Sequence, residues 1–314
     1  MRTLGAVCGR GLGVVAMTAA MVAADTGPAL AQPSTDVVVL DLRPHGDHVH
    51  VGSMVPVSER DGYDNQPHFR DHDRLLLVSD RDGPGTDVYG FSVVEGEPVR
   101  LTRTPESEYS PRVTPDGTGF SVVRAEEAGG GGVQGLFVYP LVESEDGDEP
   151  AGLDDARRLL PEVDDIGYYA WLNETEVALF RLGDPPSLHL ADVETGEVRH
   201  VADDIGPSVQ PIPGRDAVSF VDASGQDAWT VRVLEAGSAE TTAVAELPLG
   251  VAEHAWLSEF NLLMGHEGIL YRFPVDREEE WVEMAELGPV VGNFTRIAVS
   301  PHQTRIAVVV EDGG

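Results

Sequence analysis

Lysine is absent from this chain of 314 residues, and all 21 basic residues are arginine. They stand against 54 acidic residues, so the formal net charge is −33 at pH 7. A chain this negative repels nucleic-acid phosphates and acidic lipid surfaces, and we expect neither as a partner. The acidity either keeps the protein soluble or attracts a basic partner. Composition alone leaves both interpretations open.

Cysteine is also scarce, because Cys8 is the only one and it lies in an N-terminal stretch typical of a signal peptide. Two arginines are followed there by an apolar run, Gly11–Ala24, which is too short to span a bilayer comfortably. Ala29–Ala31 has the small-x-small pattern of a cleavage site, which places the start of the mature protein at Gln32. Residues 1–31 are thus predicted as a signal peptide, with export to the periplasm, no membrane span after cleavage and no disulfide.

The common signatures of nucleophilic and nucleotide chemistry are missing too. There is no Gly-x-Ser-x-Gly elbow, and a phosphate-binding loop would need a lysine that the chain does not have. The glycine run Gly129–Gly132 opens no predicted helix and is interpreted as part of a flexible loop. These absences favour a binding protein over a hydrolase or a nucleotide-binding enzyme.

Two short stretches carry residue types that ligate metals. His48 and His50 would point to the same face of a strand, as two metal ligands can. The turn Asp80–Gly83, with Asp87 beyond it, has carboxylates spaced as in part of a calcium loop, but Phe91 stands where such a loop needs its closing glutamate. Asp and Gly are also what a hairpin turn requires. No cofactor is therefore predicted, and a divalent metal is left open.

What the sequence does contain is a repeat of short strands and polar turns. The turn after the first strand of each unit begins at Arg70, Thr114, Leu172, Pro213, Leu257 and Ser300. The separations are 44, 58, 41, 44 and 43 residues. The longest contains two Gly-rich or acidic segments, Ala125–Gln134 and Glu143–Asp155, which are interpreted as mobile loops. Repeats of this length, with up to four strands each, are typical of the blades of a β-propeller.

The sixth unit ends after its second strand, which begins at Arg305. Near the other end of the chain, Thr35–Leu42 is predicted as a third strand, Arg43–Asp47 as a turn and His48–Val57 as a fourth strand. The two ends would then complete one blade together and remove the open edge of the ring. We therefore predict an all-β fold, a six-bladed β-propeller of four-stranded antiparallel blades, as a single domain over residues 32–314.

Five stretches in the first two repeats carry a family resemblance. They resemble the WD40-like repeats, of the Pro-Asp type, in the TolB propeller family, and they are Asn65–Phe69, Ser79–Gly83, Asp87–Tyr89, Leu101–Thr102 and Ser110–Gly117. The resemblance implies a ring of six blades, in agreement with the repeat count, and a protein partner in the cell envelope. TolB also has an α/β domain before its propeller. No such domain is recognised after Gln32, so the resemblance implies a TolB-like propeller rather than TolB itself.

The candidate binding site lies at the mouth of the channel that a propeller encloses. Polar residues in or just before the innermost strands open onto that mouth, namely Asp64, Gln66, His68, Glu108, Tyr168, Gln210, Glu253, His254 and Arg296. A rigid ring that presents six loops to one partner suits recognition, because loop chemistry sets the specificity. We expect a monomeric, non-catalytic scaffold in the envelope that binds a protein or peptide at this mouth.

The alternative hypothesis is an enzyme. Some propellers carry a hydrolase or lyase site at the channel, around a divalent metal held by carboxylates and histidine. Such a site would need four of the candidate residues to converge on the axis, namely Asp64, Glu108, Glu253 and His254. Fold alone does not decide between the two hypotheses, because one fold serves many functions.

Overall fold

The computed structural model describes residues 32–45, 48–127, 131–141, 152, 155–277 and 280–311, with only the backbone of residues 44, 45, 48, 127 and 131. The predicted signal peptide at 1–31 lies outside these residues, as does most of the acidic segment 143–155. The possible ligand pair His48 and His50 cannot be compared with the structure, because the side chain of His48 is not described. Within the described ranges, no helix is long and apolar enough to cross a membrane.

Twenty-four strands form six four-stranded antiparallel sheets, which are the blades of a ring. The chain begins with β1 (Thr35–His45) and β2 (His48–Pro56), which belong to blade 6. Blade 1 consists of β3 (Asp64–Phe69), β4 (Arg74–Ser79), β5 (Asp87–Ser92) and β6 (Pro98–Arg100). Blade 2 consists of β7 (Ser107–Val113), β8 (Gly119–Glu127), β9 (Gly131–Pro140) and β10 (Arg157–Leu159).

The later blades repeat this order. Blade 3 consists of β11 (Ile166–Trp171), β12 (Glu176–Arg181), β13 (Ser187–Asp192) and β14 (Val198–Asp203). Blade 4 consists of β15 (Ile205–Pro211), β16 (Ala217–Asp222), β17 (Trp229–Glu235) and β18 (Thr241–Leu247). Blade 5 consists of β19 (Ala255–Ser258), β20 (Asn261–His266), β21 (Ile269–Pro274) and β22 (Val282–Glu286), followed by the short helix α1 (Gly288–Val291).

Blade 6 is completed by both ends of the chain, as predicted. Its inner strands are β23 (Phe294–Val299) and β24 (Arg305–Glu311), and β1 and β2 form its outer half in the order β23-β24-β1-β2. β1 pairs antiparallel with β24 along its first seven residues, from Thr35 opposite Glu311 to Asp41 opposite Arg305. This pairing closes the ring, so no blade is left with an unpaired neighbour.

The hydrophobic core is divided among the seams, by which we mean the interfaces between neighbouring blades. The described residues form six buried apolar clusters, one in each seam. In the seam between blades 6 and 1, for example, Val37 and Val309 share a cluster with Leu75 and Phe91. Each such side chain contributes roughly 1.5–3 kcal/mol by its burial. Among the described residues, the buried apolar clusters are shared between neighbouring blades, so each blade depends on its neighbours for its core.

The fold class is confirmed, and two local expectations were wrong. β1 continues to His45, through residues predicted as a turn. The Gly-rich segment Ala125–Gln134 is not a loop throughout, because β8 and β9 extend into it with Ala125 opposite Gln134. In both places hairpin pairing satisfies backbone N–H and C=O groups that a loop would leave to water.

Candidate functional site

The innermost strands are interrupted by β-bulges, which shape the wall of the central channel. In β3 the pairing register shifts between Asn65 and His68, and in β7 it shifts between Tyr109 and Arg112. Similar irregularities interrupt β11, β15 and β23. A bulge bends its strand and re-aims the side chains beside it. The same local defect, repeated around the ring, thus brings side chains of several blades to one channel.

Two of these bulges are linked directly. Gln66 and Ser110, at equivalent positions of β3 and β7, have positive φ angles of 54° and 52°, which are uncommon for residues other than glycine. The Ser110 N–H donates to Gln66 Oε1 at 2.6 Å, and the Gln66 N–H donates to Asn65 Oδ1 at 2.7 Å. Unusual backbone of this kind clusters at functional sites, and here both residues line the channel.

The channel has a volume of about 160 Å³ and is lined by residues of all six blades. Its polar lining residues are Gln66, His68, Ser110, Arg112, Tyr168, Ser208, Gln210, Glu253 and Arg296. Prolines and Trp256 form much of the remaining wall. The volume is roughly ten times what a single water requires. It therefore admits a side chain or a chain end, and not a folded domain.

Arg112 projects from blade 2 and reaches blade 4. Its Nη2 donates to the Val209 carbonyl at 3.0 Å and is 3.3 Å from Gln210 Oε1. In the described part of the chain it forms no ion pair, and its Nε and Nη1 have no hydrogen-bond partner. Burial and the nearby Arg296 lower the pKa of the Arg112 guanidinium from its ordinary 12.5, yet an arginine stays protonated at neutral pH. Arg112 is thus a cation held by neutral acceptors.

Arg296, the second cation of the channel, is held by an acid and a phenol. Its Nη2 donates to the Tyr168 hydroxyl at 2.8 Å and lies 3.5 Å from Glu253 Oε1. The guanidinium carbon is 5.2 Å from the centre of the Tyr168 ring, within the range of a cation–π contact. Burial alone would lower the pKa of Arg296, but Glu253 and Tyr168 raise it above its ordinary value. Arg296 is therefore largely neutralised within the protein.

His68 lines the channel as a neutral imidazole. Burial, assisted by the charge of Arg112, lowers its pKa from 6.5 to about 3. Its ring forms no hydrogen bond with any residue that the structure describes. A neutral imidazole offers one donor and one acceptor, so His68 supplies hydrogen-bonding capacity to the channel without charge.

Asp64 and Glu108 are fully buried and do not line the channel. Asp64 pairs with Arg81 at 2.8 Å and with Arg60 at 3.0 Å. Glu108 lies in the seam between blades 1 and 2, where its Oε1 accepts from the Tyr139 hydroxyl at 3.1 Å. Both carboxyl groups have their partners within the protein.

His254 is also buried in a seam, where it contacts a serine. Its Nε2 is 2.6 Å from Ser219 Oγ, and the Trp256 indole N–H donates to the same oxygen at 2.7 Å. Burial lowers the pKa of His254 to about 3. The pair resembles the start of a catalytic dyad, but both members are inaccessible, with 0% and 1% exposure for Ser219 and His254.

A second copy of this arrangement shows that it is structural. Between blades 2 and 3, Ser121 Oγ accepts from the Tyr169 hydroxyl at 2.8 Å and from the Trp171 indole N–H at 2.9 Å. His254 thus occupies the place that Tyr169 has two blades earlier. The serine links one blade to the next in both seams.

The suspected metal sites find no support in the geometry of the described residues. No group of three or more His, Cys, Asp or Glu side chains among them could hold a metal ion. In the turn that resembles part of a calcium loop, Asp80 accepts from the Tyr63 N–H at 3.0 Å, and Asp87 forms an ion pair with Arg100. These carboxylates are thus bonded to residues outside the turn.

Six of the nine predicted site residues line the channel, namely Gln66, His68, Tyr168, Gln210, Glu253 and Arg296. Asp64, Glu108 and His254 lie apart from it, so the four residues that a metal-assisted mechanism needs do not converge. Arg112 was not among the predicted site residues, because in the sequence it stands out only as one position of the repeated unit. Arg112 stands 44 residues after His68, the same separation as between the first two turns. That register alone could have placed it on the channel wall.

Comparison with known proteins assigns the fold. No protein-family model and no curated protein sequence matches the chain. A solved structure assigned to TolB from Agrobacterium tumefaciens superposes with a TM-score of 0.61 at 12% identity, covering 90% of this chain and 100% of that one. TolB from Acinetobacter baumannii superposes with a TM-score of 0.55 at 13% identity, covering 88% of this chain and 64% of that one.

A third similar structure is that of an enzyme. It is an oligogalacturonate lyase from Vibrio parahaemolyticus, with a TM-score of 0.50 at 12% identity, covering 89% of this chain and 98% of that one. Identities this low carry the fold and not the function. The chain has the fold of a six-bladed β-propeller, similar to that of these TolB structures.

Proposed function

We propose that the protein is exported to the periplasm and acts as a non-catalytic scaffold whose channel mouth binds a segment of another protein. The observation that carries the proposal is the channel itself, where polar side chains of all six blades meet around about 160 Å³. A cavity of this size accepts one side chain or chain end, while the rest of the partner contacts the rim. Ligands that are small relative to the ring are held in this way by convergent polar groups.

The chemistry of the wall favours binding over catalysis. A nucleophile needs an adjacent base within hydrogen-bond reach, yet His68 forms no such bond in the described structure. Ser208 Oγ accepts from Gln210 Nε2 at 3.3 Å and from the His254 backbone N–H at 3.4 Å, so its described partners are donors and not a base. The Ser219 and His254 pair is sealed in a seam. Recognition is the function that these groups support best.

Affinity capture tests this proposal. Protein comprising residues 32–314 is immobilised and exposed to an envelope extract of its own organism, and bound proteins are identified by mass spectrometry. A rim variant carries Gln66→Ala, Tyr168→Ala and Glu253→Ala. A matched control carries Gln226→Ala, Glu240→Ala and Phe260→Ala, all at exposed positions. A protein retained by the wild type and the control, but lost from the rim variant, supports the proposal.

Two other outcomes would count against it. A partner that is lost at high salt, but is indifferent to the rim variant, would indicate attraction by the acidic surface instead. A stoichiometric divalent metal in the dialysed protein would favour the enzymatic alternative, a hydrolase or lyase. Metal analysis of the same preparation therefore accompanies the capture.

A further inference from the structure

We propose that the channel recognises a carboxylate group and that Arg112 is its principal ligand. The inference rests on the proposed function, since it names the chemistry that the partner segment brings to the channel. Among the described residues Arg112 forms no ion pair, although the charge of Glu253 in the same channel acts to raise its pKa.

The guanidinium of Arg112 is held in place but not neutralised. Val209 and Gln210 accept from one of its nitrogens, Nη2, at 3.0 and 3.3 Å. Its remaining donors, on Nε and Nη1, have no partner among the described residues. The Nε–H and the Nη1 donors lie on different edges of the guanidinium, so each offers a single charge-assisted hydrogen bond to a carboxylate. The two neutral acceptors thus orient the group for a ligand that must come from outside.

The charge of the wall is opposite to that of the chain. The lining holds two arginines and one glutamate, whereas the whole chain has a net charge of −33. Arg112 is partly buried, and a carboxylate partner would offset the cost of removing its charge from water. Abundant acids elsewhere in the sequence could have supplied that partner, yet none does so at Arg112 within the described ranges. A ligand carboxylate would complete the site.

The other polar groups of the wall suit the same ligand. Glu253 forms an ion pair with Arg296, with 3.5 Å between Oε1 and Nη2. Arg112 is then the arginine of the wall that has no ion pair among the described residues. Glu253 also repels an entering carboxylate, so the binding energy must come from the contact with Arg112. His68, as a neutral imidazole, provides a hydrogen-bond donor without further charge. The volume of about 160 Å³ fits an acidic side chain or a C-terminal carboxylate.

A small dicarboxylate tests the inference without knowledge of the partner. Succinate and its uncharged diamide, succinamide, are titrated into the protein by isothermal titration calorimetry. We expect succinate to bind and succinamide not to bind. Arg112→Gln should weaken succinate binding by about tenfold to a hundredfold, the usual range for a charge-assisted hydrogen bond. Arg277→Gln is the matched control, because this side chain is 79% exposed, and it should change the affinity by less than about twofold.

A folding check and a conservative variant distinguish a loss of binding from a loss of folding. Circular dichroism checks each protein, and Arg112→Lys keeps the charge but loses the planar guanidinium. We expect this variant to fold and to bind succinate several-fold more weakly than the wild type. No succinate binding by the wild type, or binding that Arg112→Gln and Arg112→Lys leave unchanged, would overturn the inference.

Peptides then separate the two sources of the carboxylate. Alanine pentapeptides are compared as the free acid, as the C-terminal amide and as the amide with a central glutamate. Binding of the free acid alone indicates a chain end, whereas binding of the glutamate peptide indicates a side chain. Capture of a partner that Arg112→Gln does not affect would leave the proposed function standing and refute the carboxylate. Succinate binding that depends on Arg112, without any captured partner, would support the carboxylate site and count against the proposed function.

Discussion

The channel and the seams both bring polar side chains into the interior of the ring, but they treat those groups differently. In the seams, Ser219 joins His254 and Trp256, and the same bonding recurs at Ser121. On the channel wall, Arg112 keeps donors without a described protein partner, and the ring of His68 forms no bond with the residues described. Polar groups bonded across a seam hold the blades together, even though the buried His254 Nδ1 has no described partner. The unbonded donors of Arg112, which lines the channel, are the candidates for binding.

This difference also separates residues that the sequence cannot separate. Glu253 and His254 are neighbours in the chain, yet one lines the channel and the other lies in a seam. Successive residues of an extended segment point to opposite sides. A shift of one residue in register therefore exchanges a binding residue for a structural one.

The largest effect is expected from breaking the ring itself. Deletion of residues 305–314 removes β24, to which β1 pairs along seven residues. Because each seam needs two blades, we expect loss of cooperative folding throughout the ring, measured by circular dichroism and thermal unfolding. A variant that lacks only residues 312–314 is the control. A melting temperature unchanged by the longer deletion would refute the closed ring as the source of stability.

The ring was predictable because its signals are local and repeated. Polar turns such as Arg70–Asp73 and Thr114–Gly117 recur at nearly constant spacing, and the missing strands of the last unit matched the surplus ones at the start. The channel wall was only partly predictable. Its shape depends on bulges, such as the one around Gln66, which no pattern of apolar residues reveals. A bulge displaces side chains by a register step, and that step decides what faces the axis.

The next effect concerns a seam and should leave the channel intact. Ser219→Ala removes the acceptor of the Trp256 indole and the contact of His254. Two buried groups then lose a partner, which should lower the free energy of unfolding by about 2–4 kcal/mol in urea titrations. Succinate affinity should not change. Ser224→Ala, at an exposed position, is the control, and an equal loss in both variants would contradict a specific seam role.

A pH-dependent effect is expected from the seam carboxyl Glu108. Burial, with a smaller contribution from the negative charge of Asp87, raises the pKa of Glu108 from 4.5 to about 7. The hydrogen bond from Thr104 acts in the opposite direction but is a smaller effect than burial. The folded state therefore holds the proton more tightly than the unfolded state. The resulting stabilisation is complete below pH 4.5 and is lost as the pH rises through about 7, a change of roughly 3 kcal/mol.

Glu108→Gln isolates this contribution, because the amide stays neutral at every pH. We expect the variant to lose less stability than the wild type between pH 5 and pH 8, measured as the free energy of unfolding in urea. Carboxyl groups with lowered pKa values, such as Asp41 and Asp116, titrate below this window and act in the opposite direction. Identical slopes for the two proteins would mean that Glu108 ionises as freely in the folded state as in the unfolded one.

The smallest expected effect tests the channel against its own acid. Glu253 lies 3.5 Å from Arg296 and competes with any ligand carboxylate for that cation. Glu253→Gln keeps the shape of the side chain but removes its charge, so both arginines become available and one source of repulsion is lost. We expect succinate to bind several-fold more tightly to this variant, by roughly 1 kcal/mol in calorimetry. Glu240→Gln, on the exposed surface, removes an equal charge elsewhere. An equal gain in both variants would show that succinate responds to the overall acidity of the protein, and that the channel has no selective cation.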